Sequence, residues 1–239
     1  MPVRILHTND LHGTLTPERA ASLSALRQSA DLYFDSGDAI RTGNLGIPMK
    51  REPVWAELDR LRCNASVLGN RETHVLESAF HAKIAGAAHP VLCGNLRRKD
   101  GTYPLPRTLV LESNDIRIGI VAVMVPMVTE RMRSQAVSAY LWDPPIPTAR
   151  ELGEQLRPQV DLLIALTHIG HRQDLELAEQ VPIFDAILGG HSHTVLPEPV
   201  FVRHTAVCQG GSHSRYAGMY EWSPSNGFSG RLIPFPRPE

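Results

Sequence analysis

Short apolar runs, each breaking off into polar residues, alternate with helical stretches along this chain. In the first half the runs fall at residues 3–7, 32–35, 65–68 and 91–92. Helical patterns lie between them at 16–29, 54–61 and 72–85, the first with Thr16 as N-cap and Pro17 at its first position. Strands joined through helices return to the same end of a sheet, so this rhythm demands parallel pairing with crossover connections. In the second half, 108–112 and 116–123 flank Ser113-Asn114-Asp115, a hairpin signal. Asp143-Pro144-Pro145-Ile146-Pro147 leads into a helix over 148–156, then a strand at 161–166, a helix at 175–180 and a strand at 186–188. Short strands at 200–202, 206–209, 218–222 and 231–235 complete the pattern. No linker or repeat interrupts the 239 residues, which read as one α/β domain spanning 1–239.

The residues just past the strand ends carry the chemistry. Asp10, His12, Asp38, Asn70, His168, His191 and His193 all fall there. Open α/β sheets gather ligand-binding groups at that edge, because every parallel strand delivers its last residues to it. Imidazoles, carboxylates and an amide in that number can hold two metal ions. Imidazole suits zinc, iron and nickel, while carboxylate and amide oxygens suit harder ions such as manganese. Each piece alone is ordinary: Ser36-Gly37-Asp38 is a common turn, and a lone histidine after a strand is usually a loop residue. The pair His191 and His193 behind Gly189-Gly190 has fewer structural reasons to exist.

Composition narrows the partners. The chain is 42% hydrophobic and 21% charged, as in soluble globular proteins, and its net charge of −1 provides no global basic field for nucleic acid or an anionic membrane. Cys63, Cys93 and Cys208 are too few and too scattered for a disulfide framework. The longest apolar run, 118–128, is far short of the ~20 residues that span a bilayer. No signal-like segment precedes the first strand, so the expected location is cytoplasmic.

Taken in order, ILHTNDLHG, DSGDAI, LGNRE, ALTHIG and LGGHSHT resemble the signature blocks of the calcineurin-like metallophosphoesterases, with wording close to the 5'-nucleotidase branch. The likeness runs from Val3 to about Trp222 and takes in CGNL and RIGIVAV. It implies a four-layer αββα sandwich around a dinuclear centre. Asp10, His12 and His193 would hold one metal, Asn70, His168 and His191 the other, and Asp38 would bridge. Two divalent transition-metal ions are implied, manganese foremost, with zinc, iron or nickel as alternatives. The implied reaction is hydrolysis of a small-molecule phosphomono- or phosphodiester by a metal-bridging hydroxide. No membrane or specific nucleic-acid partner is expected, and a homo-oligomer is left open.

The chain departs from that pattern at two places. The family's Gly-Asn-His-Glu block reads Gly69-Asn70-Arg71-Glu72, and the aspartate that follows in the 5'-nucleotidase branch falls at His74. The resemblance makes the missing histidine the proton donor to the leaving oxygen, oriented by the missing aspartate. Arg71 would replace the donor with a fixed charge, with His74 as a helper one helical turn away. The alternatives are His74 as the acid itself, a weakened metal-binding scaffold, or an esterase acting on a non-phosphate ester. Asn95, Arg41 and His171 are expected to contact substrate, with Asn44 in the same loop as Arg41 and Asn9 behind a metal ligand. His213 and Arg215, in a Gly/Ser loop, are read as solvated. The second departure is length: no C-terminal nucleotide-binding domain is expected, and residues 127–147 become the candidate cap.

Overall fold

The computed structural model describes residues 1–235. One sheet is built from β1 (Val3–Thr8), β2 (Leu32–Asp35), β3 (Ala65–Val67) and β4 (Val91–Leu92), all parallel, and extended by β13 (Tyr216–Ser223) and β14 (Gly227–Pro234) in the order β14-β13-β1-β2-β3-β4. The last two strands pair antiparallel, β13 against β1 with Val3 opposite Trp222. The second sheet comprises β6 (Thr108–Ser113), β7 (Ile116–Met124), β9 (Leu162–His168), β10 (Ala186–Leu188), β11 (Val200–Val202) and β12 (Thr205–Cys208). Its order is β11-β12-β10-β9-β7-β6, with the four central strands parallel.

Alternation along the strands separates three cores and so defines four layers. Ile118, Ile120 and Ala122 on β7, with Leu162, Ile164 and Leu166 on β9, face Val3, Ile5, Leu32 and Phe34 of the other sheet. Their neighbours Val121, Val123, Leu163 and Ala165 face outward onto α4 (Pro145–Leu156) and α5 (His171–Gln180). On the other side Leu6, Tyr33 and Leu68 pack beneath α1 (Pro17–Gln28), α2 (Pro53–Arg60) and α3 (Glu77–Ile84). The expected αββα sandwich is therefore present. Among the described residues no helix is long and apolar enough to cross a membrane.

Three local expectations are corrected. The helix expected over 72–85 exists only from Glu77 to Ile84. Residues 70–73 form a turn instead, with Thr73 Oγ1 donating to the Asn70 carbonyl at 2.8 Å, and Glu72 is drawn inward by backbone donors of other loops. Helix α4 starts three residues early, at Pro145, because prolines fit a first turn whose N–H groups have no helical acceptor. A two-stranded sheet of β5 (Leu96–Arg98) and β8 (Tyr140–Trp142) was not legible in the sequence. It ties the far end of the 127–147 stretch to the segment after β4.

Candidate metal centre

The five loops that leave β1, β2 and β3 of one sheet and β9 and β10 of the other meet at one end of the sandwich. Their backbones interlock: Asp10 N donates to the Gly37 carbonyl and His12 N to the Asp38 carbonyl, both at 2.9 Å. Asp10, His12, Asp38, His191 and His193 all have left-handed backbone, with φ of 51°, 51°, 54°, 77° and 56°. That conformation is uncommon outside glycine and persists only where the surroundings enforce it, which concentrates it at functional sites. Glycines enable the close approach: a Cβ on Gly69 would lie 2.2 Å from Asp38 N, and one on Gly190 would lie 2.7 Å from the Ser36 carbonyl oxygen.

The side chains converge as two adjoining groups, Asp10 with His12 and His193, and Asp10 with Asp38 and His168. His193 Nε2 lies 3.3 Å and His12 Nε2 3.6 Å from Asp10 Oδ1. Asp38 spans the two groups, with Oδ2 3.6 Å from His12 Nε2 and Oδ1 3.5 Å from His168 Nε2. Asn70 Oδ1 stands 3.1 Å from His168 Nε2 and 2.9 Å from His191 Nδ1. His168 Nδ1 faces the Ser36 carbonyl at 2.7 Å; a carbonyl only accepts, so the ring hydrogen sits there and Nε2 presents a lone pair. An imidazole lone pair beside an amide oxygen is a set of acceptors without a donor. Asp10 Oδ1 and both ring nitrogens of His12 are likewise buried without a hydrogen-bond partner among the described residues. Buried acceptors left unmatched in this way are expensive unless a cation satisfies them, so the residues present fit the binding of divalent metal ions.

Electrostatics agree. Burial pushes the Asp10 carboxyl up, but the adjacent His12 and His193 imidazoles outweigh it and hold it far below the usual range. Asp38 is lowered in the same way, burial being outweighed by His12 and His168. Burial works against charge on His12, yet Asp10 and Asp38 raise it to about 9. Burial and the neighbouring His168 push His191 down. The two carboxylates thus favour positive charge beside His12.

A supporting shell escaped the sequence reading. Glu72 is fully buried and accepts from Asp38 N, Ile40 N and Gly69 N at 3.0–3.1 Å, clamping two ligand loops together. Burial, with the nearby Asp38, raises its carboxyl to about 7. Lys83, on α3, is buried and its Nζ reaches the carbonyls of Gly43, Asn44, Arg71 and Thr73 at 2.6–2.9 Å. Asn9 does what was expected of it: Nδ2 donates to Asp10 Oδ2 at 2.8 Å. The hint available in the sequence for Glu72 was its place in the GNRE block; for Lys83 there was none.

The remaining expected site residues separate. Arg71 lies at the centre: Nε is 3.8 Å from Asp38 Oδ2, its backbone N donates to Asp38 Oδ1 at 2.7 Å, and Nη1 donates to the Arg41 carbonyl at 2.9 Å. Arg41 itself is exposed on the rim. Asn44 Oδ1 accepts from Asn70 Nδ2 at 3.0 Å and so orients that ligand. His171 borders a cavity of about 520 Å³ together with His191, Ser192 and Gln173. His74 is not on a helix with Arg71; its Nδ1 accepts from Leu76 N at 3.0 Å and shapes the start of α3. Asn95 is fully buried, with Nδ2 donating to the carbonyls of Met124 and Asp143 and Oδ1 accepting from Met124 N. Its amide is spent on the backbone and offers substrate no free donor. His213 is exposed, as expected of a solvated loop residue, and also stands edge-on to His12 with ring centroids 4.6 Å apart.

A profile described as calcineurin-like phosphoesterase matches residues 3–195. Over 238 residues the chain is 24% identical to the metallophosphoesterase YunD of Bacillus subtilis, covering 92% of this chain and 49% of YunD. Among solved structures, a 5'-nucleotidase precursor from Thermus thermophilus superposes with a TM-score of 0.77 at 19% identity, over 98% of this chain and 55% of that one. The sulfate thiohydrolase SoxB of Thermus thermophilus superposes with a TM-score of 0.81 at 16% identity, over 98% and 56%. The chain spans about half the length or less of the curated relatives it matches over most of its own length.

Proposed function

The chain belongs to the calcineurin-like phosphoesterase family, and from that premise we propose that it is a metal-dependent phosphoester hydrolase with a dinuclear centre and an altered means of helping the leaving group depart. The observation that carries this reading is the convergence of Asp10, His12, Asp38, Asn70, His168, His191 and His193 on one space, with Asp10 Oδ1 and the His12 ring nitrogens buried and without a hydrogen-bond partner among the described residues. Asp10, His12 and His193 would hold one ion, Asn70, His168 and His191 the other, with Asp38 between them. Two divalent ions held there supply Lewis-acid polarisation of the phosphoryl oxygens and a nucleophilic water near neutral pH.

The chain's own residues set the substrate preference. Arg71 places a guanidinium beside Asp38 that can pair with phosphoryl oxygens, but a guanidinium does not release a proton to a leaving group in proteins. Loss of general acid catalysis costs ~10²–10⁴-fold where the leaving group needs a proton. Aryl monoesters and diesters need that help least, so they are the favoured substrates, ahead of alkyl monoesters such as nucleoside monophosphates. His74 is a weak candidate for the missing acid, since its ring is engaged with the start of α3.

The test is metal analysis followed by a substrate panel. Manganese-reconstituted protein should carry about two ions per chain and hydrolyse bis-p-nitrophenyl phosphate and p-nitrophenyl phosphate faster than AMP. Protein that takes up no metal sinks the reading. Equal turnover of AMP sinks the part assigned to Arg71. A second reading, a metal-binding scaffold with little catalysis, draws on the engagement of Arg71 Nη1 by the Arg41 carbonyl, and gains if two ions bind but no ester on the panel is cleaved.

A further inference from the structure

The loop after β12 carries a histidine into the metal centre. His213 stands 4.6 Å from His12 and 6.0 Å from His193, ring centroid to ring centroid, edge-on to both. The loop is held against the first ligand loop throughout. Gly210 N donates to Asn9 Oδ1 and Asn9 Nδ2 to the Gly211 carbonyl, both at 2.8 Å. His213 N donates to the Asp10 carbonyl at 2.8 Å, and Arg19 Nη1 to the His213 carbonyl at 3.0 Å. Thr14 Oγ1 meets Ser214 Oγ at 2.9 Å. These contacts hold two consecutive non-glycine residues in left-handed backbone, His213 at φ 59° and Ser214 at φ 51°. A free surface loop has no reason to keep that strain.

Ser212 is buried, and its Oγ lies 2.9 Å from His213 Nδ1 and 3.4 Å from Arg215 Nη2. The ring is thus anchored through Nδ1, while Nε2 has no hydrogen bond to the described residues and the side chain is open to solvent. His213 does not join the converging ligand atoms of Asp10, His12 and His193.

We propose that His213 contacts the substrate, donating from Nε2–H to an oxygen of the phosphoryl group that the centre holds. This rests on the hydrolase reading above and adds a binding residue to it. It also supplies a second donor at a site whose other substrate-facing donor, Arg71, is partly committed to the Arg41 carbonyl.

The test uses manganese-reconstituted parent, His213→Ala and His213→Gln, with metal content measured first. Inorganic phosphate is titrated calorimetrically, and kcat and KM are measured on p-nitrophenyl phosphate. The expected result is phosphate binding about tenfold weaker in His213→Ala, with metal content and melting temperature unchanged. KM should rise more than kcat falls, and His213→Gln, which keeps a donor, should recover most of the loss. Unchanged phosphate affinity in His213→Ala overturns the proposal. So does loss of metal from that variant, which would make His213 a ligand or a prop, or a His213→Gln variant no better than alanine. A parent that binds no manganese fails the hydrolase reading itself, and that failure is seen before any variant is compared.

Discussion

At the scale of the residue, the site turns on adjacent side chains with opposite duties. Arg71 faces the reaction space, while Glu72 points into the protein and holds three N–H groups of the two loops that carry Asp38 and Asn70. Replacing Glu72 with alanine strands those donors where water is scarce, at a cost on the order of 3 kcal/mol or more. Calorimetric melting and metal titration of Glu72→Ala should both register the loss; full metal affinity in that variant would disprove the clamp. Arg71→His restores a group that can titrate near neutrality. The ratio of AMP to p-nitrophenyl phosphate turnover should then rise by ~10-fold or more, and an unchanged ratio means Arg71 never limited leaving-group departure.

At the scale of the element, the loops are stapled from beneath by groups that are themselves buried. Lys83 reaches from α3 to four carbonyls in the 43–44 and 71–73 segments. Lys83→Met keeps the apolar stem and removes the donors, so stability should fall by on the order of 2–3 kcal/mol, with hydrogen exchange in both segments accelerating. Asp174, on α5, joins Thr167 at the end of β9 to Gln209 after β12 at 2.6 and 2.7 Å. Burial raises its carboxyl from 3.8 to about 7. Its folded form therefore holds a proton that the unfolded chain releases from about pH 4 upward. The stability this confers is complete below that pH and is lost as pH rises towards 7. In chelated protein, the melting temperature of Asp174→Asn relative to the parent should climb between pH 4 and 7 and then level off. A flat difference would show that Asp174 ionises normally.

At the scale of the whole molecule, the centre joins the two sheets. Asp10, Asp38 and Asn70 come from loops of one, and His168, His191 and His193 from the other. Metal held by both stabilises the folded state over the unfolded one in proportion to its binding. Chelation should therefore lower the melting temperature by several degrees and speed hydrogen exchange at the ligand-bearing edge of both sheets together. Exchange confined to one sheet would mean that the ions do not bridge them.

The sequence by itself determined the strand–helix rhythm, the parallel character of the central strands and the placing of ligand-type residues just past the strand ends. Each of these is a local pattern: apolar runs of strand length, and ligand-type residues placed just after them. What it could not carry was any contact made across the chain. The helix expected at 72–85 failed because backbone donors from residues 38, 40 and 69 draw Glu72 inward and turn the chain. Asn95 looked available until Met124 and Asp143 were seen to take its amide. His213 looked idle until the Asp10 carbonyl was seen to hold its backbone against the ligands. Period and composition are properties of neighbours in sequence, whereas which way a loop side chain faces is decided by hydrogen bonds closed over 200 residues and more, and only the folded sheets bring those partners together.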